Sequence, residues 1–295
     1  MVERPAAGRI FETSRRVRYG DTGPDGRIRL DAVARYLQDV AGDDTSAAGL
    51  PGSHAWVVRR ALIEVDRWAT SWEQLQLATW CGGVGSHWAE RVVTLMGADV
   101  IDGDGGERSS PGGVRGAEPA SAGPASAEPG SEELGAVGAS IRTATLWVMI
   151  DVATQRPARI TPDFTDIYAE ATLGRQVGSQ LHLPVEPHPD ATVLPWQVRR
   201  SDLDVLGHMN NAVAWTMLDH AVTHLGLHPR RPAPGQPIRA ELEFRQPVLA
   251  HDVCELRAHV ADGACTVWTL AASSGDVADT SASAPSLRSV ARVTV

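Results

Sequence analysis

The sequence contains no lysine, so arginine supplies all 27 of its permanently positive side chains. Aspartate and glutamate number 36, and the net charge of −9 argues against non-specific nucleic-acid binding, which needs a broad positive surface. No run of 18 apolar residues occurs, so we expect no membrane span. The first twenty residues lack the apolar segment of a signal peptide, and we therefore expect a cytoplasmic protein.

Cysteine is also scarce. Cys81, Cys254 and Cys265 share no metal-ligand spacing and cannot form a disulfide framework. None of the ten histidines stands in an HExxH or similar metal-binding pattern. We therefore predict neither a metal ion nor a cofactor. The apolar fraction of 43% with 21% charged residues is typical of a globular protein.

The sequence repeats itself at an offset of 181 residues. Residues 19–41 and 200–222 both read as a polar, glycine-containing turn followed by an apolar helix. In each copy, apolar residues recur at helical spacing and predict one buried stripe. These residues are Leu30, Val33, Ala34, Leu37 and Ala41 in the first copy, and Val213, Met217, Leu218, Ala221 and Leu225 in the second.

Four strand-like runs follow each predicted helix. They are "ALIEV", "LQLATW", "ERVVTLM" and "RTATLWVMI" in the first half, and "IRAELEF", "DVCELRAHV", "ACTVWTLAA" and "LRSVARVTV" in the second. Alternation of apolar and polar residues favours strands in several of them. One helix with a set of antiparallel strands predicts an α+β unit, a sheet wrapped around a central helix. We expect two such units, at 8–165 and 191–295, joined by a linker at 166–190.

Residues 99–140 interrupt the first unit. They are rich in glycine, alanine, serine and proline and nearly free of large apolar side chains. Such a segment buries too little surface to offset the entropy lost on ordering, so we predict a disordered insert between two strands.

The segment "SDLDVLGHMNN", residues 201–211, precedes the second helix and concentrates short polar groups. A carboxylate at Asp204 can act as a general base on water or attack a carbonyl directly. An imidazole at His208 can orient a reactant or pass a proton near neutral pH. We therefore select Asp204 and His208 as candidate catalytic residues.

Gly207, Asn210 and Asn211 complete this segment. Glycine lets the backbone approach a ligand, and Asn210 or Asn211 suits a helix N-cap. Free backbone N–H groups at a helix start can stabilise an oxyanion, so we take these three residues as a supporting region. The same residue types are also ordinary in turns and caps, and a purely structural role for the segment stays open.

This segment, followed by an apolar helix, resembles the signature of hotdog-fold thioesterases. The duplicated layout resembles the acyl-ACP thioesterases, as do "LQDVAGDDTSAAGL", "LWVMIDVATQRPARI" and "LEFRQPV". The resemblance implies a tandem (double) hotdog fold. It also implies hydrolysis of the thioester that links a fatty acyl chain to acyl carrier protein (ACP), with the first half shaping the acyl pocket.

The resemblance places the catalytic aspartate three residues before the glycine, at Asp204. At the offset of 181, the first half has Gly23 and Arg27 where the second has Asp204 and His208. We therefore expect the chemistry in the second half alone.

Two departures from the plant enzymes imply a reduced site. Their Asp-x-Asn-x-His pattern has an asparagine where this chain has Leu206, and their later acidic residue falls at Pro247. Three other readings stay open. An acyl-CoA thioesterase would use the same site, a binding module would lack turnover, and a hotdog hydratase fits the spacing of aspartate and histidine less well. Two units in one chain allow a monomer or a homodimer.

Overall fold

The computed structural model describes residues 1–50, 54–97, 138–227, 232, 235–273 and 285–295. All but the last three residues of the insert predicted at 99–140 lie outside these ranges. The described strands are β1 (Ile10–Arg16), β2 (His54–Arg67), β3 (Gln74–Val84), β4 (Trp88–Gly97), β5 (Ser140–Asp151), β6 (Thr192–Gln197), β7 (Ile238–Phe244), β8 (Asp252–Ala261), β9 (Ala264–Ser273) and β10 (Ser286–Thr294). The described α-helices are α1 (Leu30–Ala48), α2 (Pro162–Tyr168) and α3 (Val213–His224).

The strands form one antiparallel sheet in the order β1-β3-β4-β5-β2-β7-β10-β9-β8-β6. Read inward from its own edge, the first half has the order β1-β3-β4-β5-β2 and the second half has the order β6-β8-β9-β10-β7. Each strand of the second half is thus the equivalent of the first-half strand numbered five lower. The halves join where β2 pairs with β7, from Arg60↔Glu243 to Val65↔Ile238. Both halves are therefore copies of one antiparallel unit, and the predicted α+β tandem hotdog is confirmed.

Helices α1 and α3 contact each other and share one hydrophobic core with the sheet. Six of the ten residues in the predicted stripes are buried, and the other four, at the ends of the stripes, are half-buried. The buried ones are Val33, Ala34, Leu37, Met217, Leu218 and Ala221. Burying a side chain of this size contributes about 1.5–3 kcal/mol, so this core holds the two halves together.

The turns before α1 and α3 share their backbone hydrogen bonds. Asp204 N–H donates to His208 O over 2.8 Å, as Gly23 N–H donates to Arg27 O over 2.8 Å. Gly207 and its counterpart Gly26 have φ angles of 74° and 76°, a conformation that favours glycine. The repeat seen in the sequence is therefore a repeat of the backbone itself.

The segment 166–190 lies across the sheet and contacts both halves. Trp88 Nε1 donates to Val177 O over 2.7 Å, and Trp268 Nε1 donates to Pro184 O over 2.8 Å. Between these contacts, Leu183 N–H donates to the fully buried carboxylate of Glu243 over 3.1 Å. The predicted linker is thus fixed to the sheet at several points.

Candidate functional site

Asp204 caps its own turn. Its Oδ1 accepts the N–H groups of Leu206 over 2.8 Å and of His208 over 3.2 Å. Its Oδ2 has no hydrogen-bond partner among the described residues. One carboxylate oxygen of Asp204 therefore has a structural role, and the other makes no hydrogen bond within the described part of the chain.

The first half caps the equivalent turn from a different position. There, the N–H of Arg27, which corresponds to that of His208, donates to Asp25 Oδ1 over 3.1 Å. The turn therefore needs a carboxylate but does not need it at the position of Asp204. Capping explains why an acid is present, and it leaves the choice of position unexplained.

His208 and Gly207 are also tied into the turn through their backbone. His208 pairs with Leu249 on the neighbouring turn, and its imidazole has no hydrogen bond within the described ranges. The Gly207 N–H donates to Asp204 O over 3.0 Å. That N–H is therefore occupied in this conformation, and the role of Gly207 as an oxyanion donor stays a prediction.

Asn210 links the turn to α1. Its Oδ1 accepts the Ala212 N–H over 2.8 Å and the Gln38 Nε2–H over 3.1 Å. Helix α3 begins at Val213 with Ala212 as its N-cap, so the expectation of an asparagine N-cap is wrong. Asn210 instead closes a separate turn, in which Val213 N–H donates to Asn210 O over 2.9 Å, just ahead of the helix.

Gln38 belongs to the wall of a cavity of about 470 Å³ between α1, α2 and strands β2 to β5. Most of its lining is apolar, and four aromatic rings contribute to it: Trp56, Trp147, Phe164 and Tyr168. A volume of this size is typical of a small-molecule site. The contact between Gln38 and Asn210 joins this cavity, which we call the first-half pocket, to the motif of the second half.

A charged cluster lies beside the first-half pocket. The carboxylate of Asp44 is almost fully buried, and Arg9 Nε and Arg91 Nη1 each contact it over 2.7 Å. Tyr168 OH donates to the same carboxylate over 2.8 Å. Burial and the charge of Asp44 together raise the pKa of Tyr168, so its hydroxyl stays a donor. Arg91 and Tyr168 also line the pocket, so part of its lining is polar.

Sequence reasoning missed this cluster, although one signal was present. Asp44 follows Leu37 and Val40 by helical spacing, so it is a carboxylate on the buried stripe of α1. A charge on a buried stripe requires partners, which here come from β4, α2 and the N-terminal segment.

Cys81 also lines the first-half pocket. Burial raises the pKa of its thiol to about 11, so the thiol is neutral at physiological pH and is not an activated nucleophile. Cys81 is therefore a small buried thiol rather than a catalytic one.

The part of the chain that the structure describes contains no cluster of three histidine, cysteine or acidic side chains able to hold a metal ion. Among the same residues, no helix is long and apolar enough to cross a membrane.

Comparison with known proteins assigns the fold to the hotdog thioesterases. The family model of the acyl-ACP thioesterase N-terminal domain matches residues 8–102, and that of the C-terminal domain matches residues 185–281. The chain therefore belongs to the acyl-ACP thioesterase family, whose members are thioester hydrolases.

Solved structures share this fold over nearly the whole chain. A protein of Lactobacillus plantarum assigned as an oleoyl thioesterase has a TM-score of 0.66 at 17% identity and covers 98% of both chains. The 12:0-ACP thioesterase of Umbellularia californica has a TM-score of 0.63 at 17% identity, over 97% of this chain and 96% of its own. An uncharacterized protein of Mycobacterium tuberculosis is 24% identical over 258 residues, which are 87% of this chain and 85% of that protein.

Proposed function

We propose that this protein hydrolyses the thioester of a fatty acyl-ACP and releases the free fatty acid and ACP. The observation that carries this proposal is the hydrogen bond between Gln38 and Asn210. It connects an apolar pocket in the first half to the polar turn of the second half, as hydrolysis of a long-chain thioester requires. Membership of the acyl-ACP thioesterase family supports the same reaction.

The first-half pocket is the proposed site of the acyl chain. Its aromatic and aliphatic walls gain about 25 cal/mol for each Å² of apolar surface that a chain buries there. An unsubstituted chain packs best against the pocket's apolar side chains, such as Leu50, Trp56 and Phe164. We expect chain length to be set by how far the chain extends between α1 and the sheet.

Asp204 and His208 are the proposed catalytic residues. In one route, Asp204 Oδ2 takes a proton from water as the water oxygen attacks the thioester carbonyl carbon. The C–S bond then breaks, and the departing thiolate takes up that proton. In the other route the carboxylate attacks the carbonyl carbon itself and the C–S bond breaks, which gives a mixed anhydride and a thiolate. Water then hydrolyses the anhydride to the fatty acid and the Asp204 carboxylate, and the thiolate is protonated. His208, with an uncommitted imidazole, orients the reacting groups in both routes.

At Leu206 and Pro247 this chain lacks two polar side chains that the plant enzymes have in the site. Both side chains are exposed, and neither can replace the polar groups found there. Their presence favours the second candidate function, a module that binds acyl thioesters without turnover. We rank it second because Asp204 keeps an oxygen free of structural hydrogen bonds.

A groove beside the turn is the proposed site of the thiol-bearing partner. Arg199, Arg200 and Asp204 line one groove of about 560 Å³ beside the turn. Two arginines there suit a phosphate of the pantetheine arm, which ACP and coenzyme A share. We propose ACP as the partner, with CoA as the alternative, in a cytoplasmic monomer or homodimer.

Thiol release from matched acyl-ACP and acyl-CoA panels tests the proposal. We expect the higher kcat/KM on acyl-ACP for at least one chain length. A higher kcat/KM on acyl-CoA would support the same catalytic site and show that CoA, not ACP, is the thiol-bearing partner. Tight binding of acyl-ACP without any thiol release would replace the hydrolase by the binding module.

A further inference from the structure

A second, much smaller cavity lies where the two halves meet. Its volume is about 20 Å³, and its polar lining comes from Gln38, Thr145, Trp147 and Asn211. Gln38 and Trp147 also line the first-half pocket, and Asn211 is the last residue of the second-half motif. This junction cavity therefore lies between the proposed acyl site and the proposed catalytic segment.

Two polar atoms of the junction cavity lack a hydrogen-bond partner. Thr145 Oγ1 and Trp147 Nε1 are buried side-chain atoms, and neither has a partner among the described residues. Thr145 as a whole is only 4% exposed. Buried polar groups are normally paired, so two unpaired atoms on residues that line one cavity favour a bound group there.

The lining determines what that group is. An indole N–H can only donate, a threonine hydroxyl can donate, and the carboxamides of Asn211 and Gln38 contribute further N–H groups. Gln38 already donates one N–H to Asn210. No charged side chain lines the cavity, and its volume fits a single oxygen atom or one water molecule. With an indole N–H and a hydroxyl left unpaired and no charge in its lining, the cavity suits a neutral acceptor oxygen.

We propose that the junction cavity binds the carbonyl oxygen of the acyl thioester, with one water molecule in its place in the free protein. This inference rests on the proposed function. Thr145 and Trp147, on β5 of the first half, then donate to the oxygen that becomes an oxyanion when the carbonyl carbon is attacked. The site of attack thus lies next to Asn211, at the junction of the two halves.

Kinetics of two variants test the proposal. Thr145→Val removes the hydroxyl donor with little change in volume, and we expect kcat to fall roughly 100-fold with KM nearly constant. Trp147→Phe removes the indole N–H donor together with part of the ring. We expect the same fall in kcat and also a change in KM, because Trp147 lines the first-half pocket. Thr145→Ser keeps the hydroxyl and should restore most of the rate.

The matched controls are Thr143→Val and Trp80→Phe. The Thr143 hydroxyl is also buried on β5 but donates to Val93 O over 3.1 Å, and Trp80 Nε1 is buried and unpaired away from the cavity. Both controls should keep kcat. If they lower kcat as much as the cavity variants do, the effect comes from packing and the proposal is wrong.

A binding measurement separates this proposal from the hydrolase function. The indole N–H resonance of Trp147, assigned by its loss in Trp147→Phe, is followed with two acyl-pantetheine analogues. One is an amide that keeps the carbonyl, and the other is a thioether that lacks it. We expect both analogues to bind by calorimetry and the resonance to move with the amide alone.

The two hypotheses can fail separately. A Trp147 resonance that moves with the amide, in a protein that shows no turnover, would support the cavity assignment and contradict the hydrolase function. Turnover that is unchanged in Thr145→Val and Trp147→Phe would contradict the cavity assignment and support the hydrolase function. Equal responses to amide and thioether would assign the cavity to water only, and failure of both analogues to bind would overturn both proposals.

Discussion

The turns before α1 and α3 have the same backbone and different side chains. The second has Asp204 and His208 where the first has Gly23 and Arg27, and each turn takes its capping carboxylate from a different position. The two turns thus share the hydrogen bonds that the fold needs, and they differ at side chains that the fold does not need. The polar groups proposed for the chemistry lie in one half, and the pocket lies in the other.

The helices explain why the pocket belongs to the first half. Helix α1 has 19 residues, and its second part supplies Ala41, Gly42, Thr45 and Ser46 to the pocket wall. Helix α3 has 12 residues and ends before Gly226, which occupies the position of Thr45 in the repeat. The side of α3 that corresponds to Gln38 carries Asp219, in an open groove with Trp196 and His220.

The largest effect on stability is expected at Asp44, whose counterpart in the repeat is Leu225. Asp44→Asn removes the charge that neutralises Arg9 and Arg91, and we expect a loss of about 3 kcal/mol in the free energy of unfolding. Urea denaturation measures it.

The neighbouring Asp43→Asn is the control for Asp44. Asp43 is exposed and pairs with Arg15 over 2.7 Å, so its replacement should cost under about 1 kcal/mol. Equal losses in the two variants would contradict a structural role for the buried cluster.

The next effect concerns chain length. Gly42 lines the first-half pocket and a Cβ there meets nothing within 4 Å, so Gly42→Leu should narrow the pocket without strain. We expect a roughly 10-fold loss of kcat/KM for the longest chain accepted, and less for shorter chains. The repeat supplies the control, because Thr223→Leu changes the open groove beside α3. An identical chain-length profile in both variants would place the acyl chain elsewhere.

A smaller effect is expected at Arg200, whose counterpart in the first half is the exposed Tyr19. Arg200→Ala removes an exposed positive charge from the groove that contains Asp204, so KM for acyl-ACP should rise about 5-fold at low salt and less at high salt. Tyr19→Ala should leave KM unchanged. Steady-state kinetics at two ionic strengths decide it, and a salt-independent change would argue against an electrostatic role.

The smallest effect is a pH dependence confined to the first half. Burial alone would raise the pKa of Asp31, but hydrogen bonds from Arg29 and Arg35 outweigh it and lower that pKa. A lowered pKa stabilises the fold above the pKa of the unfolded chain, near 3.9, and this contribution disappears as pH falls through the folded value. The difference in stability between wild type and Asp31→Asn, about 1 kcal/mol at pH 7, should therefore begin to shrink near pH 4 and vanish only below the lowered pKa of Asp31. A difference that persists there would contradict the pairing.

The repeat made the fold predictable because it preserves residues that constrain the backbone. Asp21 and Asp202 each accept the N–H three residues earlier, and Gly26 and Gly207 adopt the same positive φ. These constraints are local, so they appear in the sequence at a fixed offset. The strand runs were predictable for the same reason, since alternation depends on adjacent residues.

The site was only partly predictable because its contacts are not local. Gln38 and Asn210 are 172 residues apart, and no periodicity connects them. The hydrogen bonds of Asp204 to its own turn, and the unpaired donors of Thr145 and Trp147, depend on the packing of side chains in three dimensions. The sequence indicates which residue types are present, and the fold determines which of their atoms are left free.

The central claim, that the second turn performs chemistry and the first only folds, is tested most directly by one matched pair. Thiol release from the preferred acyl-ACP is measured for Asp204→Ala and Asp25→Ala, which remove the capping carboxylate of each turn at a similar cost of about 1 kcal/mol. We expect Asp204→Ala to lose at least roughly 100-fold in kcat and Asp25→Ala to keep the wild-type rate. Equal rates in the two folded variants would contradict the claim and reduce Asp204 to a capping residue.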